Sequence, residues 1–223
     1  TTAVVLSKLV VGWLATLTVQ AKRQPDPSFD TTCRLCKLAP ETNWHVLAEC
    51  THPVMVAARR EHLTKITDHI ADLPLPPAVQ KLVSVNWLVD DSGALVDMQS
   101  EEALADTIRS WAPELANTID VADLRHRLLW DAPAGKHADD LRKWAFRGIL
   151  PAQWNALLRD NGVHAAAAET ALRAIELKVC DTTPELWRHF CAEAHRLTGP
   201  CTNPNSLTAK VNAALATWNG PIP

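Results

Sequence analysis

The 223-residue sequence predicts an all-α fold, and three observations support that prediction. Only seven glycines are present, which leaves little material for hairpin turns, whereas alanine, the strongest helix former, is abundant. No segment alternates apolar and polar residues convincingly over five positions, as a half-buried strand would. Hydrophobic residues make up 47% of the chain and charged residues 21%, which is typical of a globular protein with a real core.

Start and stop signals predict where the helices lie. The apolar first twenty residues predict a helix that ends near Lys22-Arg23. Pro53 is expected to begin a helix that reaches about Asp72, because its missing N–H would be unsatisfied at that position anyway. Ser100 is the expected N-cap of a helix that extends to about Trp111. Further helices are predicted at 120–131, 137–148, 151–160 and 164–179, at 184–198 from the start signal Thr183-Pro184-Glu185, and from Asn205-Ser206 to Trp218.

A proline-rich run, Leu73-Pro-Leu-Pro-Pro77, interrupts the helical pattern and predicts a stiff connector. We therefore expect two units, one of residues 1–72 and an all-α domain of residues 78–223. The apolar stretch from Ala3 to Val19 contains Lys8 and several polar residues, so it predicts a buried helix and not a membrane span.

Charge is distributed unevenly along the chain. The formal net charge is −3, but residues 1–65 carry +3 and the remainder carries −6. A protein that binds nucleic acid over a broad basic surface is therefore not expected, and any such contact would be local and modest.

The six cysteines suggest a metal site more than a disulfide framework. The chain is long and begins with no recognisable signal peptide, so we expect a reducing compartment, such as the nucleus, the cytoplasm or an organelle matrix. In that setting a Cys-x-x-Cys pair is typical of metal binding.

One motif carries clear chemistry, Cys33-x2-Cys36-x8-His45-x4-Cys50. It supplies three thiolates and one imidazole, the ligands that a tetrahedral structural zinc ion prefers. The gap of two residues lets one tight turn direct Cys33 and Cys36 at one ion, and the gap of four suits a helical turn. The sequence thus predicts one structural Zn²⁺ with no open coordination position. The alternative is that these are scattered buried cysteines.

The stretch from Cys33 to Cys50 resembles the zinc-binding segment found C-terminal to the polymerase in non-LTR retrotransposon reverse transcriptases. Glu41-Thr42 before His45, Val46-Leu47 after it, the preceding apolar helix from Leu6 to Leu17 and the basic helix after Cys50 all match that pattern. The resemblance covers roughly residues 5–66. Retroviral knuckles, with four residues before the histidine, fit less well.

The resemblance implies contact with element RNA or target DNA beside a polymerase. Cations in this region that could meet phosphates are Arg34, Lys37, Arg59, Arg60 and Lys65. The alternative for those on the helix after Cys50 is an ordinary solvated helix face.

Sequence motifs for catalysis are weak. A reverse-transcriptase palm needs an aromatic-x-Asp-Asp turn, and neither Leu88-Val-Asp-Asp91 nor Ala138-Asp-Asp140 has the aromatic. Both also follow the knuckle, on the wrong side for the family order. Glu176-Leu-Lys178 has the Glu-x-Lys form of a restriction-like nuclease, but its surroundings predict a solvated helix. We therefore expect neither polymerase nor nuclease activity.

Two further groups of residues favour a structural interpretation. A second group of possible metal ligands lies near the C-terminus and consists of Cys180, His189, Cys191, His195 and Cys201. Their irregular spacing argues against a second metal site, and burial as small hydrophobic side chains is the better interpretation of the cysteines. The aromatic-rich corner from Trp144 to Trp154 could stack on bases, but core packing is the better prediction.

Two functional hypotheses follow. The leading one is a non-catalytic, zinc-stabilised helical module, derived from a reverse-transcriptase C-terminal region. It acts as a structural or binding subunit of a larger assembly with protein partners, in which RNA is a candidate component. The alternative is the nucleic-acid-binding part of a retrotransposon reverse transcriptase whose polymerase lies outside this chain.

Overall fold

A computed structural model describes residues 14–89, 95, 100–113, 115, 119–130, 139, 140, 146, 150 and 152–198. The all-α prediction is confirmed. The longer helices are α1 (Leu17–Arg23), α2 (Pro53–Ala71), α3 (Pro77–Ser84), α4 (Glu101–Trp111), α5 (Val121–Leu128), α6 (Ala152–Asp160) and α7 (Ala165–Thr198). A π-helical turn covers His45–Glu49, and a 3-10 turn covers Val85–Trp87.

Local sequence signals set several helix boundaries as predicted. Pro53 is the first residue of α2. Ser100 caps α4, because its hydroxyl accepts a hydrogen bond of 3.0 Å from the Ala103 amide. Gly162 follows α6 with a φ of 83°, and the amide of Val163 donates to the Leu158 carbonyl at 3.1 Å. This is the left-handed termination that glycine permits without steric cost.

The predicted break before Pro184 is wrong, since α7 continues through this residue to Thr198. A proline in a helix interior removes one backbone donor and usually ends or kinks the helix. Here Val179 and Leu186 are both buried, one on each side of the proline. Apolar packing on both sides of the proline offsets the lost hydrogen bond, so the two predicted helices form one continuous helix.

The first predicted helix is also corrected within the described residues. Residues 14–16 are not helical, and Thr16 is extended, with φ of −71° and ψ of 160°. The amide of Leu17 donates to the Glu41 side chain at 3.0 Å, so a tertiary contact replaces the helical bond that this amide would otherwise make. The rest of the predicted apolar helix, residues 1–13, lies outside the described residues.

A short antiparallel pair of strands occupies part of a segment that the sequence predicts to be helical. Strand β1 (Leu129–Trp130) pairs with β2 (Asp139–Asp140), so the helix predicted at 137–148 is wrong at its described start. Most of that segment, and the helix predicted from Asn205 to Trp218, lie outside the described residues.

The interior is organised around α7, which packs along α2 and α6. A central core draws buried residues from both sides of the Leu73–Pro77 connector, among them Ile66 on α2 and Ile175 on α7. Phe146 and Trp154 are buried within it, which confirms core packing for these two residues of the aromatic corner. None of the described helices is long and apolar enough to cross a membrane.

Candidate metal centre

The structure brings the four predicted ligands together. The sulfurs of Cys33, Cys36 and Cys50 and a ring nitrogen of His45 all lie within 4.8 Å of one another. Cys33, Cys50 and His45 are buried, and Cys36 is half-buried. The sequence prediction that these residues form one cluster is therefore confirmed.

A tight loop presents the first pair of cysteines. The Lys37 amide donates to the Cys33 carbonyl at 3.0 Å, and the Cys33 amide donates to the Ala39 carbonyl at 2.8 Å. Lys37 has a φ of 60°, so the chain reverses directly after Cys36. Thr32 and Pro40 form an antiparallel bridge that closes the base of the loop.

The π-helical turn presents the second pair. The Cys50 amide donates to the His45 carbonyl at 2.7 Å, the i to i+5 hydrogen bond of a π-turn. Thr42 caps its start, because its hydroxyl accepts from the His45 amide at 2.9 Å. The wider turn brings residues five apart to the same side, which agrees with the helical turn that the spacing predicted.

The donor set and its spacing fit a tetrahedral ion. Zinc–sulfur bonds of about 2.3 Å at tetrahedral angles would separate two sulfurs by about 3.8 Å. The sulfurs of Cys33 and Cys50 lie 3.9 Å apart, and Cys36 Sγ lies 3.2 Å from His45 Nε2. The other ring nitrogen, Nδ1, lies 3.9 Å from a carboxylate oxygen of the exposed Glu49, which is beyond hydrogen-bond distance.

The thiols of Cys33 and Cys50 share a buried environment that favours a cation. The pKa of Cys33 is lowered well below the usual range, mainly because the Cys50 thiol donates a hydrogen bond to its sulfur. The pKa of Cys50 is raised for the same reason and by burial. A divalent cation bound by the two sulfurs favours deprotonation of both. The five cysteines that the structure describes are all free thiols.

A fully buried carboxylate, Glu41, joins this knuckle to the chain before it. Its oxygens accept hydrogen bonds from the Leu17 amide at 3.0 Å, from the Arg34 amide at 3.1 Å, and from the Arg34 guanidinium at 2.9 Å through both Nε and Nη2. The carboxylate thus has partners on both oxygens, as a buried charge requires. Sequence reasoning noted Glu41 in the motif but found no role for it.

A buried arginine supports the other side of the knuckle. Arg59 on α2 is 1% exposed, and its guanidinium donates to the Leu47 carbonyl at 3.0 Å and to the Cys50 carbonyl at 2.9 Å. These carbonyls lie at the end of the π-turn. Arg59 therefore satisfies backbone acceptors beside the last metal ligand. No sequence signal distinguished it from its exposed neighbour Arg60.

The C-terminal half of α7 packs against the knuckle. A small apolar cluster, which we call the knuckle core, consists of Cys33, Leu35, Val46, Cys50, Met55, Phe190 and Ala194. The Arg34 guanidinium lies over the Phe190 ring, 5.4 Å from its centre, and the Trp187 ring stacks on Phe190 with the ring centres 5.3 Å apart. Residues more than 130 positions apart thus share one packed cluster with two metal ligands.

The five predicted phosphate-binding cations have different surroundings. Arg59 is buried and cannot reach a phosphate, which corrects its assignment to a nucleic-acid surface. Arg34 is bound to Glu41, and Lys65 lies 2.9 Å from both Glu61 and Glu185. Lys37 and Arg60 are exposed.

Other predicted candidates show no comparable arrangement. Within the described residues, no second cluster of three possible metal ligands exists. Cys180 and Cys191 are half-buried, and Cys201 lies outside the described part of the chain. Glu176 and Lys178 lie on α7, as expected for a helical segment. Asp90, Asp91 and Ala138 lie outside the described residues, and of Asp139 and Asp140 the structure describes the backbone alone.

Comparison with protein-family models, with curated proteins and with solved structures found no match for this chain.

Proposed function

We propose that this chain is a non-catalytic helical module, stabilised by one structural zinc ion, that serves as a structural or binding subunit of a larger assembly. The observation that carries the proposal is the donor set of three sulfurs and one imidazole nitrogen within 4.8 Å. Soft thiolates select zinc over the hard cations magnesium and calcium, and four protein ligands complete a tetrahedron. No position is then left for a substrate or a reactive water.

The surroundings of the site favour a structural role over a catalytic one. The ligands are mostly buried. Two of them, Cys33 and Cys50, belong to the knuckle core together with Met55 of α2 and Phe190 of α7. An ion at this point would hold together three segments that are distant in sequence. Binding free energy at such a site becomes folding free energy, so the ion would stabilise α7 as well as the knuckle.

Chelation combined with hydrogen exchange tests this role. We expect that removing zinc speeds amide exchange in residues 31–50 and also around Phe190. Amide exchange in the N-terminal half of α7, near Ile175, should change less. Adding zinc back should restore protection. If exchange near Phe190 is the same with and without metal, the ion does not support α7 and the proposed role is wrong.

The origin of the module and its partners belong to the same proposal. The spacing of the four ligands and the position of Glu41-Thr42 support descent from the C-terminal region of a non-LTR retrotransposon reverse transcriptase. In this proposal the module has been taken over into an assembly of proteins, in which RNA is a candidate component. Identification of the proteins and RNA that co-purify with the native chain tests this part directly.

A second candidate function is contact with nucleic acid beside a separate polymerase. The exposure of Lys37 and Arg60 favours it. Each phosphate contact contributes a log–log salt slope of roughly −0.7 to −0.9, so two cations limit the slope to about −1.4 to −1.8. Binding of that kind would be weak at physiological salt.

Titration of a single-stranded RNA at several salt concentrations separates the two candidates. Under the second candidate, replacing Lys37 and Arg60 together with alanine should flatten the slope to near zero, whereas replacing the exposed Arg173 and Arg188 on α7 should not. Tight RNA binding that the first pair of substitutions abolishes would overturn our preferred function and support the second.

A further inference from the structure

The three thiols of the metal centre differ in their access to solvent. Cys33 and Cys50 are both 0% exposed, whereas Cys36 is half-buried. Cys36 also lies directly before Lys37 and Leu38, which are exposed at the tip of the loop. A small oxidant in solution therefore reaches the Cys36 sulfur before the other two. Oxidation of cysteine follows thiolate character and exposure, so Cys36 is the sulfur of this cluster most open to a hydroperoxide.

Cys33 is placed to form a disulfide with Cys36. The Lys37 amide donates to the Cys33 carbonyl at 3.0 Å, which is the hydrogen bond of a single helical turn. Cα atoms three residues apart in such a turn are separated by about 5 Å, inside the range of roughly 4.4 to 6.8 Å that a disulfide accepts. The sulfurs of these two residues lie within 4.8 Å of each other. The bond therefore needs little movement of the loop.

Cys50 is a less suitable partner for the oxidised sulfur. It lies on a separate segment, where its amide donates to the His45 carbonyl at 2.7 Å and its carbonyl accepts from the Arg59 guanidinium at 2.9 Å. The sulfurs of Cys33 and Cys50 are 3.9 Å apart, but both are fully buried, so neither is the first to meet an oxidant. Accessibility and chain geometry together favour the pair Cys33 and Cys36.

We propose that Cys36 is an oxidation site for hydroperoxides, and that a Cys33–Cys36 disulfide then forms and releases the metal. In the first step the Cys36 thiolate attacks one peroxide oxygen, the O–O bond breaks, and hydroxide leaves (an alkoxide, for an organic hydroperoxide). In the second step the Cys33 thiolate attacks the sulfur of the Cys36 sulfenic acid, the S–O bond breaks, and a hydroxide leaves. The two sulfurs lose two electrons, which the peroxide gains.

The disulfide removes two of the four ligands. His45 and Cys50 remain, and two donors do not complete the tetrahedron that structural zinc requires. Cys33 belongs to the knuckle core together with Phe190, so loss of the ion also weakens the packing of α7 against the knuckle. A thiol reductant restores the ligands, which makes the response reversible. This inference rests on the proposed function as a zinc-stabilised module and adds a regulation of the same site.

Zinc release from the zinc-loaded, full-length chain tests the proposal. Hydrogen peroxide is added in buffer without reductant, and released zinc is followed with a chromogenic indicator. Cys36→His removes the accessible thiol but keeps four ligands, because two cysteines and two histidines also form a structural zinc site. We expect zinc release from this variant to be at least tenfold slower than from wild type. Cys191→Ser is the matched control and should leave the rate unchanged, because Cys191 packs beside the knuckle core but is not a ligand.

Peptide mapping of the oxidised wild-type chain identifies the bond itself. Trypsin cleaves after Arg34 and after Lys37, so Cys33, Cys36 and Cys50 fall in three different peptides. We expect the peptide that contains Cys33 to be linked to residues 35–37, and a thiol reductant to reverse the link and restore zinc binding. If Cys36→His fails to hold zinc, this map decides alone.

Three results would overturn the inference. They are zinc release that is equally fast in wild type and Cys36→His, a first disulfide that involves Cys50 or Cys191, and a zinc-loaded wild-type chain that keeps its metal in peroxide. Each of them leaves the zinc content of the untreated chain at one ion. A chain that holds no zinc before peroxide is added would instead contradict the proposed function, so the two failures are distinguishable.

Discussion

His62 should make this protein progressively less stable in acid. The side chain is 3% exposed on α2, and its ring centre lies 5.6 Å from that of Phe146. Neither ring nitrogen has a hydrogen-bond partner among the described residues. Burial, with a smaller contribution from Lys65, lowers the pKa of His62 from 6.5 to about 3. The imidazole is therefore neutral in the folded protein over most of the pH range.

The direction of the effect follows from which state binds the proton first. Below pH 6.5 the unfolded chain protonates His62, whereas the folded chain does so only near pH 3, so falling pH favours unfolding across this window. The loss approaches about 1.4 kcal/mol per pH unit and reaches about 2.7 kcal/mol at pH 4.5. Below the folded pKa it stops growing.

A comparison of wild type with His62→Leu isolates this contribution. Urea unfolding, followed by tryptophan fluorescence in zinc-containing buffer, should be measured for both proteins at pH 7.5, 6.0 and 4.5. Both retain the same four metal ligands, so acid-induced loss of zinc should largely cancel in the difference. We expect the variant to gain about 2.7 kcal/mol relative to wild type between pH 7.5 and pH 4.5. An equal pH dependence in the two proteins would refute the reasoning.

Two further predictions concern the buried charges around the knuckle. Arg59→Met should lower the free energy of unfolding by about 3 kcal/mol, because two backbone carbonyls lose a charged donor, whereas Arg60→Met on the surface should change it by less than about 0.5 kcal/mol. Urea unfolding checks both, and equal effects would contradict the buried assignment of Arg59. Glu41→Gln should cost about 3 to 5 kcal/mol by leaving Arg34 without its buried partner. Glu169→Gln, at an exposed site on α7 away from the knuckle, is its control, and zinc release to a chelator should be faster in the first variant alone.

The ligand set could be predicted from sequence because its chemistry is local. Two short spacings and four soft donors define the site without knowledge of the fold, and the Ser100 cap and the Pro53 helix start depend on adjacent residues in the same way. The break predicted at Pro184 failed for the opposite reason. Local propensity favours a new helix there, but burial of Val179 and Leu186 against distant segments outweighs it.

The supports of the site were beyond sequence reasoning. Arg59 and Arg60 are adjacent and chemically identical, and tertiary packing alone determines that one satisfies buried carbonyls while the other faces solvent. The contribution of Phe190 to the knuckle core depends on α7 passing beside residues 33–55, which no spacing in the sequence encodes. The predicted division into residues 1–72 and 78–223 stays a prediction.

Native mass spectrometry of the intact chain, purified without chelators, tests the central claim most directly. Our account predicts one zinc ion per wild-type chain, loss of that ion in Cys36→Ser, and full retention in Cys191→Ser, because Cys191 packs beside the knuckle core but is not a ligand. Well under one zinc per wild-type chain, or equal loss of metal in the two variants, would contradict it.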